Sequence, residues 1–176
     1  MKEFLTDVQT LRERARANME KGPVTEAYGA DVERVIFVLN QALGTELVCV
    51  LRYKRHFFTA EGLNAQAAAQ EFSQHANDEA DHADLIAARI TQLGGEPDFN
   101  PDSLTRRSHT EYDSSEGLEA MIREDLVAER IAVESYTEMI KWLGDGDPTT
   151  RRMLEAILAM EEEHAEDMLD LLDGLM

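Results

Sequence analysis

Four stretches of the chain, each roughly 25 to 30 residues or about 40 Å of helix, place apolar side chains at alternating intervals of three and four. That spacing is the buried stripe of a helix packed among other helices. In one stretch the stripe runs Phe72, Ala76, Glu79, Ala83, Ile86, Ile90, Leu93. The others run Val35, Leu39, Ala42, Glu46, Cys49, Tyr53, Phe57, then Leu118, Ile122, Asp125, Glu129, Ala132, Tyr136, then Leu154, Ile157, Glu161, His164, Met168, Leu171. Each stripe carries a glutamate near its midpoint. A buried carboxylate costs several kcal/mol unless something neutralises it. Any fold for this chain must therefore bring cations to four core glutamates.

No stretch alternates with period two for long enough to make a sheet, so the expected fold is all-α. Helix A runs from an N-cap at Asp31 to about Gly62, and helix B from Asn64 to the Gly94-Gly95 pair. Helix C runs from about Ser115 to Gly144. Helix D opens with Asp147 as cap and Pro148 at its first position and continues to about Leu172. Residues from about 3 to 20 form a short amphipathic helix that Gly22, Pro23 and Gly29 break. The expected organisation is an N-terminal extension over 1–30 and a four-helix bundle over 31–174. Only a few residues join A to B and C to D, so each pair is an antiparallel hairpin. The segment GGEPDFNPDSLTRRSHTEYDSS is long enough to cross the bundle, which makes B and C parallel.

The chain also repeats itself. GTELVCVLRY in helix A matches VAERIAVESY in helix C, with Glu46 and Tyr53 seven apart, as are Glu129 and Tyr136. EADHADLI in helix B matches EEEHAEDML in helix D; Glu46 precedes the first Glu-x-x-His by 33 residues and Glu129 precedes the second by 32. The repeat predicts a duplicated hairpin with two facing half-sites. Midpoints of packed helices of similar length share a level, so the four glutamates converge there. His82 and His164, three residues after Glu79 and Glu161, share their helix faces. Four carboxylates and two imidazoles suit two divalent first-row metals, whose charge balances the glutamates.

This arrangement is known from ferritin-like di-iron and di-manganese carboxylate bundles. From about Asp31 to Leu172 the chain resembles that superfamily, and LNQALGTELVCVLRY, DEADHADLI, REDLVAERIAVE and EEEHAEDML are similar to bacterioferritins and the bacterioferritin-like branch of Dps-like mini-ferritins. The resemblance implies that Glu46, Glu79, His82, Glu129, Glu161 and His164 are metal ligands, with Glu79 and Glu161 bridging. It implies ferroxidase chemistry, in which two iron ions per subunit (manganese or zinc as substitutes) react with O2 or H2O2 and Fe(III) passes into a caged store. Tyr53 then either bonds a ligand, delivers an electron or is a buried structural tyrosine. Asp125 and Asp78 are the candidate acceptors for the second N–H of the ligand histidines. Bacterioferritins place a haem-ligating methionine directly after the bridging glutamate of helix B; here that residue is Ala80, so no haem is expected. Twelve residues follow His164, too few for the fifth helix of 24-subunit shells, and the expectation is a 12-subunit cage. On the same scaffold the alternatives are a dimanganese catalase or a rubrerythrin-like peroxidase, the latter weakened by the absence of a Cys-x-x-Cys pair. A non-enzymatic alternative is a DNA-coating protein.

Charge bears on these choices. The chain carries 36 Asp and Glu against 17 Lys and Arg, a formal net of -19, which suits cations and disfavours nucleic acid and anionic membrane. The first 21 residues hold five basic and four acidic side chains, so no direct DNA contact is expected. A single cysteine, Cys49, excludes an internal disulfide and a Cys-rich metal site, and it is expected to be a buried core thiol. His56, His75 and His109 read as ordinary exposed histidines. With no signal-like start and no segment approaching membrane-span length, a cytoplasmic protein is expected.

Overall fold

Caps and glycines set the limits of the long helices. In the computed structural model, which describes residues 6–62 and 65–175, the helices are α1 Val8–Ala17, α2 Val32–Thr59, α3 Ala65–Gln92, α4 Leu104–Arg107, α5 Leu118–Leu143 and α6 Pro148–Asp173. Among the described residues there is no strand. Asp31 caps α2 by accepting from Arg34 N–H at 3.1 Å, and Asp147 caps α6 by accepting from Thr150 N–H at 2.9 Å. Each cap contributes on the order of 1 kcal/mol.

The ends differ from expectation in places. Helix A stops at Thr59 rather than Gly62, because Ala60 turns extended. Helix C starts at Leu118 rather than Ser115. There the Asp113 carboxylate takes the Ser115 N–H at 2.8 Å and Gly117 sits at φ +89°, a turn that must finish before a helix can begin. Asn64, the expected start of helix B, and residues 3 to 5 of the N-terminal helix lie outside the described residues.

Hydrogen bonds fix the topology. The B–C connection runs along α2 in ascending order: Asn40 Nδ2 donates to Glu96 O, Thr45 Oγ1 accepts from His109 N–H, Arg52 Nη1 donates to Glu111 O and Arg55 Nη1 to Ser115 O. The connection thus climbs from the start of α2 to its end, and α5 returns antiparallel to α2 and parallel to α3. Expected as a plain crossover, it contains the short helix α4, which packs on α2 at Gly44. A Cβ at Gly44 would come 3.1 Å from Arg107 Cβ, so a glycine inside a helix, about 1 kcal/mol worse than alanine, is required by close approach. The N-terminal segment is tied to the α5–α6 turn through Tyr28 Oη to Asp147 Oδ2 at 2.9 Å and Gly29 N–H to Gly146 O at 3.0 Å.

The core is divided. One apolar cluster joins Val35, Leu39 and Leu43 to Ile86, Ile90, Tyr136, Leu154 and Ile157. The other joins Cys49 and Tyr53 to Phe72, Ala76, Ile122 and Met168. On every long helix a buried glutamate lies between the clusters. The stripe holds except at two helix ends: Phe57 is 37% exposed while His56 is fully buried, and Leu172 is more deeply buried than Leu171. Contrary to expectation, one helix, α2, does meet the length and composition of a membrane span. It also carries Glu46, Arg52 and His56 into the bundle core, where other helices pair them.

Candidate metal centre

Each of the six expected ligands projects from the middle of a long helix, and all six are buried. Their donor atoms form two overlapping groups, Glu46, Glu79, His82 and Glu161, and Glu79, Glu129, Glu161 and His164. Within each group one donor atom per residue lies within 4.8 Å of all the others. Glu79 and Glu161 belong to both. His82 Nδ1 faces three carboxylates, at 3.0 Å from Glu161, 3.3 Å from Glu46 and 3.6 Å from Glu79. His164 Nδ1 lies 3.7 Å from Glu79 and 3.7 Å from Glu161.

The layer is strained as a purely protein structure. Burial, then repulsion from Glu161, pushes the Glu79 and Glu129 carboxyls well above the usual range. Burial alone would discharge His82 and His164. The close approach of the surrounding carboxylates, Glu161 first, outweighs it and raises the two imidazoles to about 12 and about 9. Burial also works against the Glu161 charge, but the approach of the His164 and His82 imidazoles holds its carboxyl down to about 2. Even so, Glu79 Oε1, Glu129 Oε2, both Glu161 oxygens and both His164 nitrogens have no aligned hydrogen-bond partner. The 3.0 Å approach of His82 to Glu161 is too poorly directed to count as one. Orphaned buried polar atoms cost about 1–3 kcal/mol each, and six of them converging on one layer fit a pair of divalent cations.

Two tyrosines repeat the half-site symmetry. Tyr53 Oη donates to Glu129 Oε1, and Tyr136 Oη donates to Glu46 Oε1. Each hairpin thus orients the outer glutamate of the other. Tyr136 had a readable signal, since it occupies the repeat position of Tyr53.

Three expectations fail. His75 is 1% exposed and His56 fully buried, not exposed. His75 stacks on His164 with ring centroids 3.9 Å apart, and burial, then the neighbouring His164, lowers it to about 4. Asp125 does not serve a ligand histidine; it bonds Arg52 Nε at 3.0 Å and His56 Nδ1 at 2.8 Å. Arg52, read only as part of a repeated motif, is the buried cation that neutralises Asp125. Asp78 Oδ2 lies 3.5 Å from His164 Nε2. Cys49 is buried with Sγ 3.6 Å from Thr110 Oγ1. His109 is exposed, as expected.

Known proteins share this fold. The sequence profile of the ferritin-like domain matches residues 37–175. A bacterioferritin of Desulfovibrio desulfuricans is 28% identical over 132 residues, 74% of this chain and 70% of that protein. A nutrient stress-induced DNA-binding protein of Synechococcus is 30% identical over 130 residues, 72% of this chain and 74% of that one. Among solved structures, the bacterioferritin-related protein of Bacteroides fragilis, a dodecameric thioferritin, superposes with a TM-score of 0.80 at 32% identity, covering 84% of this chain and 89% of that chain. With a duplicated Glu and Glu-x-x-His pattern on a divided four-helix core and a profile match across most of its length, the chain belongs to the ferritin-like domain family.

Proposed function

We propose that this protein is a ferroxidase that oxidises Fe(II) at an intra-subunit dinuclear centre and passes Fe(III) to a store inside a protein cage. The observation that carries this reading is the pair of overlapping donor sets with Glu79 and Glu161 in common. Glu46 and His82 complete one set, and Glu129 and His164 the other. Two Fe(II) substrates each give up one electron. O2 takes both electrons with two protons to become H2O2, or H2O2 takes them to become water. The chain's residues hold the substrate ions side by side, balance their charge and orient the outer carboxylates through Tyr53 and Tyr136.

An anaerobic Fe(II) titration followed by oxygen exposure tests this. Binding should saturate at two ions per chain before oxygen is admitted. Glu79→Ala and Glu161→Ala should abolish rapid oxidation with helical content largely kept. Wild-type oxidation rates in either variant would remove the dinuclear centre. Prolonged aerobic loading separates storage from the catalase or peroxidase alternative, because a store accumulates many irons per chain and an isolated centre stops at two.

The cage reading is supported by the dodecameric relative and by large apolar side chains left on the surface, among them Phe37, Leu51, Phe58, Leu85 and Trp142. Twelve chains of 19.8 kDa make about 238 kDa, which light scattering measures directly. Some relatives are named for DNA binding or protection. A net charge of -19 opposes contact with phosphate, and no retardation of duplex DNA is expected at physiological salt.

A further inference from the structure

We propose that Glu71, His75 and Asp167 form a third, mononuclear site for a divalent first-row cation, one imidazole ring away from the dinuclear centre. Glu71 and His75 are one turn apart on α3, and Asp167 faces them from α6. One donor atom of each lies within 4.8 Å of the others. One nitrogen and two carboxylates make a mixed N/O set suited to such an ion. His75 is 1% exposed, Glu71 is half-buried, and the Asp167 side chain is 42% exposed. The site has a dry floor and a mouth open to water.

The hydrogen-bond order around His75 is the second observation, and it rests on the dinuclear reading, in which Glu129 is an ionised ligand. Tyr53 spends its only hydroxyl proton on Glu129. The Tyr53 oxygen, 3.2 Å from His75 Nδ1, is then an acceptor, so Nδ1 carries the ring proton. His75 Nε2 is left with a bare lone pair, and it points at Asp167 Oδ2 from 3.3 Å. In the neutral ring two acceptors face each other, and the contact is resolved either by a second ring proton or by a metal cation between them, which the Zn(II) count distinguishes. Among the described residues neither Glu71 nor Asp167 pairs with a lysine or arginine. The His75 ring lies flat on His164, at 3.9 Å and an interplanar angle of 21°. Its Nδ1 side leads through Tyr53 to Glu129. An ion held here shares a hydrogen-bonded path with the outer ligand of the centre.

The test uses the full chain and Zn(II), which binds such donors without being oxidised. Crystals soaked with Zn(II) should show three anomalous peaks per chain, two in the centre and one among Glu71, His75 and Asp167. Equilibrium dialysis should give three tightly held Zn(II) per chain, falling to two in the Glu71→Gln/Asp167→Asn double variant. Two peaks in the centre with none at the third position, or an unchanged count in the double variant, would overturn the third site and leave the dinuclear reading standing. A filled third site beside an empty centre would remove the dinuclear reading instead and keep the third site.

Discussion

Replacing Asp125 with alanine is expected to destabilise the metal-free protein as much as truncating a large apolar core residue does. The Asp125 side chain is fully buried, and that of Arg52 is 4% exposed. Removing the carboxylate strands a guanidinium in the core and takes away the partner of His56 Nδ1. Breaking a buried pair from one side costs about 3–5 kcal/mol. Arg52 keeps its donations to the carbonyls of Glu111 and Glu124, which places the loss at the lower end, about 3 kcal/mol. At about 2–4 °C per kcal/mol for a chain of this size, Tm should fall by about 6–12 °C. Circular dichroism melts of metal-free protein at fixed concentration, so that assembly is held constant, measure it. The Arg52→Met/Asp125→Leu double variant removes both charges and should recover most of the loss. If Asp125→Ala melts within about 2 °C of the parent, the buried charge is not compensated as described.

Metal loading should release protons. Glu79 and Glu129 carry raised carboxyls and His82 and His164 raised imidazoles, and all must deprotonate to ligate; calorimetry of Zn(II) binding in buffers of different ionisation enthalpy should find more than one proton per chain, and none would contradict it. The metal-free protein should lose stability as pH rises. The native state holds those protons more tightly than the unfolded chain, so Tm should drop between about pH 6 and about pH 9 as His164 titrates; a flat or rising Tm across that window would refute the assignment. Tyr53→Phe and Tyr136→Phe should each weaken divalent-cation binding at one half of the centre by about tenfold, the loss of one charge-assisted hydrogen bond, and dialysis of the two variants should give matched losses. With Ala80 after Glu79, purified protein should show no Soret absorbance, and a haem band that survives purification would be the contrary result.

The fold was readable because its signals were redundant: four stripes, two short hairpin links and one long connection all require the same bundle. The two His–Glu pairs were readable because the chain states them twice. The flank of the stripe was not. A strict three-four stripe is two positions in seven wide, whereas the buried face of α3 is three wide, and His75, His82 and Arg89 recur on its edge at intervals of seven. His82 was found through its glutamate, and His75 had no such marker. On α2 the three-four alternation passes from Tyr53 to His56, and a polar side chain at the inward place beside an apolar Phe57 masks that continuation. Arg52, on the same kind of edge, could be recognised as a core cation only once Asp125 was seen to lie beside it.

The two overlapping donor groups have a mechanical consequence. The hairpin of α2 and α3 would supply three donors to one ion and Glu79 to the other, while the hairpin of α5 and α6 would supply three to the second and Glu161 to the first. Each ion of the proposed centre would therefore be a rivet through both halves of the molecule. It sits at the level where the apolar core is interrupted and hydrophobic cohesion is weakest. Under the proposed function an empty protein would be looser at its waist and a loaded one clamped there, so the subunit's stiffness would report how much iron it holds. Amide exchange at the helix midpoints, slow when loaded and fast when empty while both ends stay protected, would read that gauge directly.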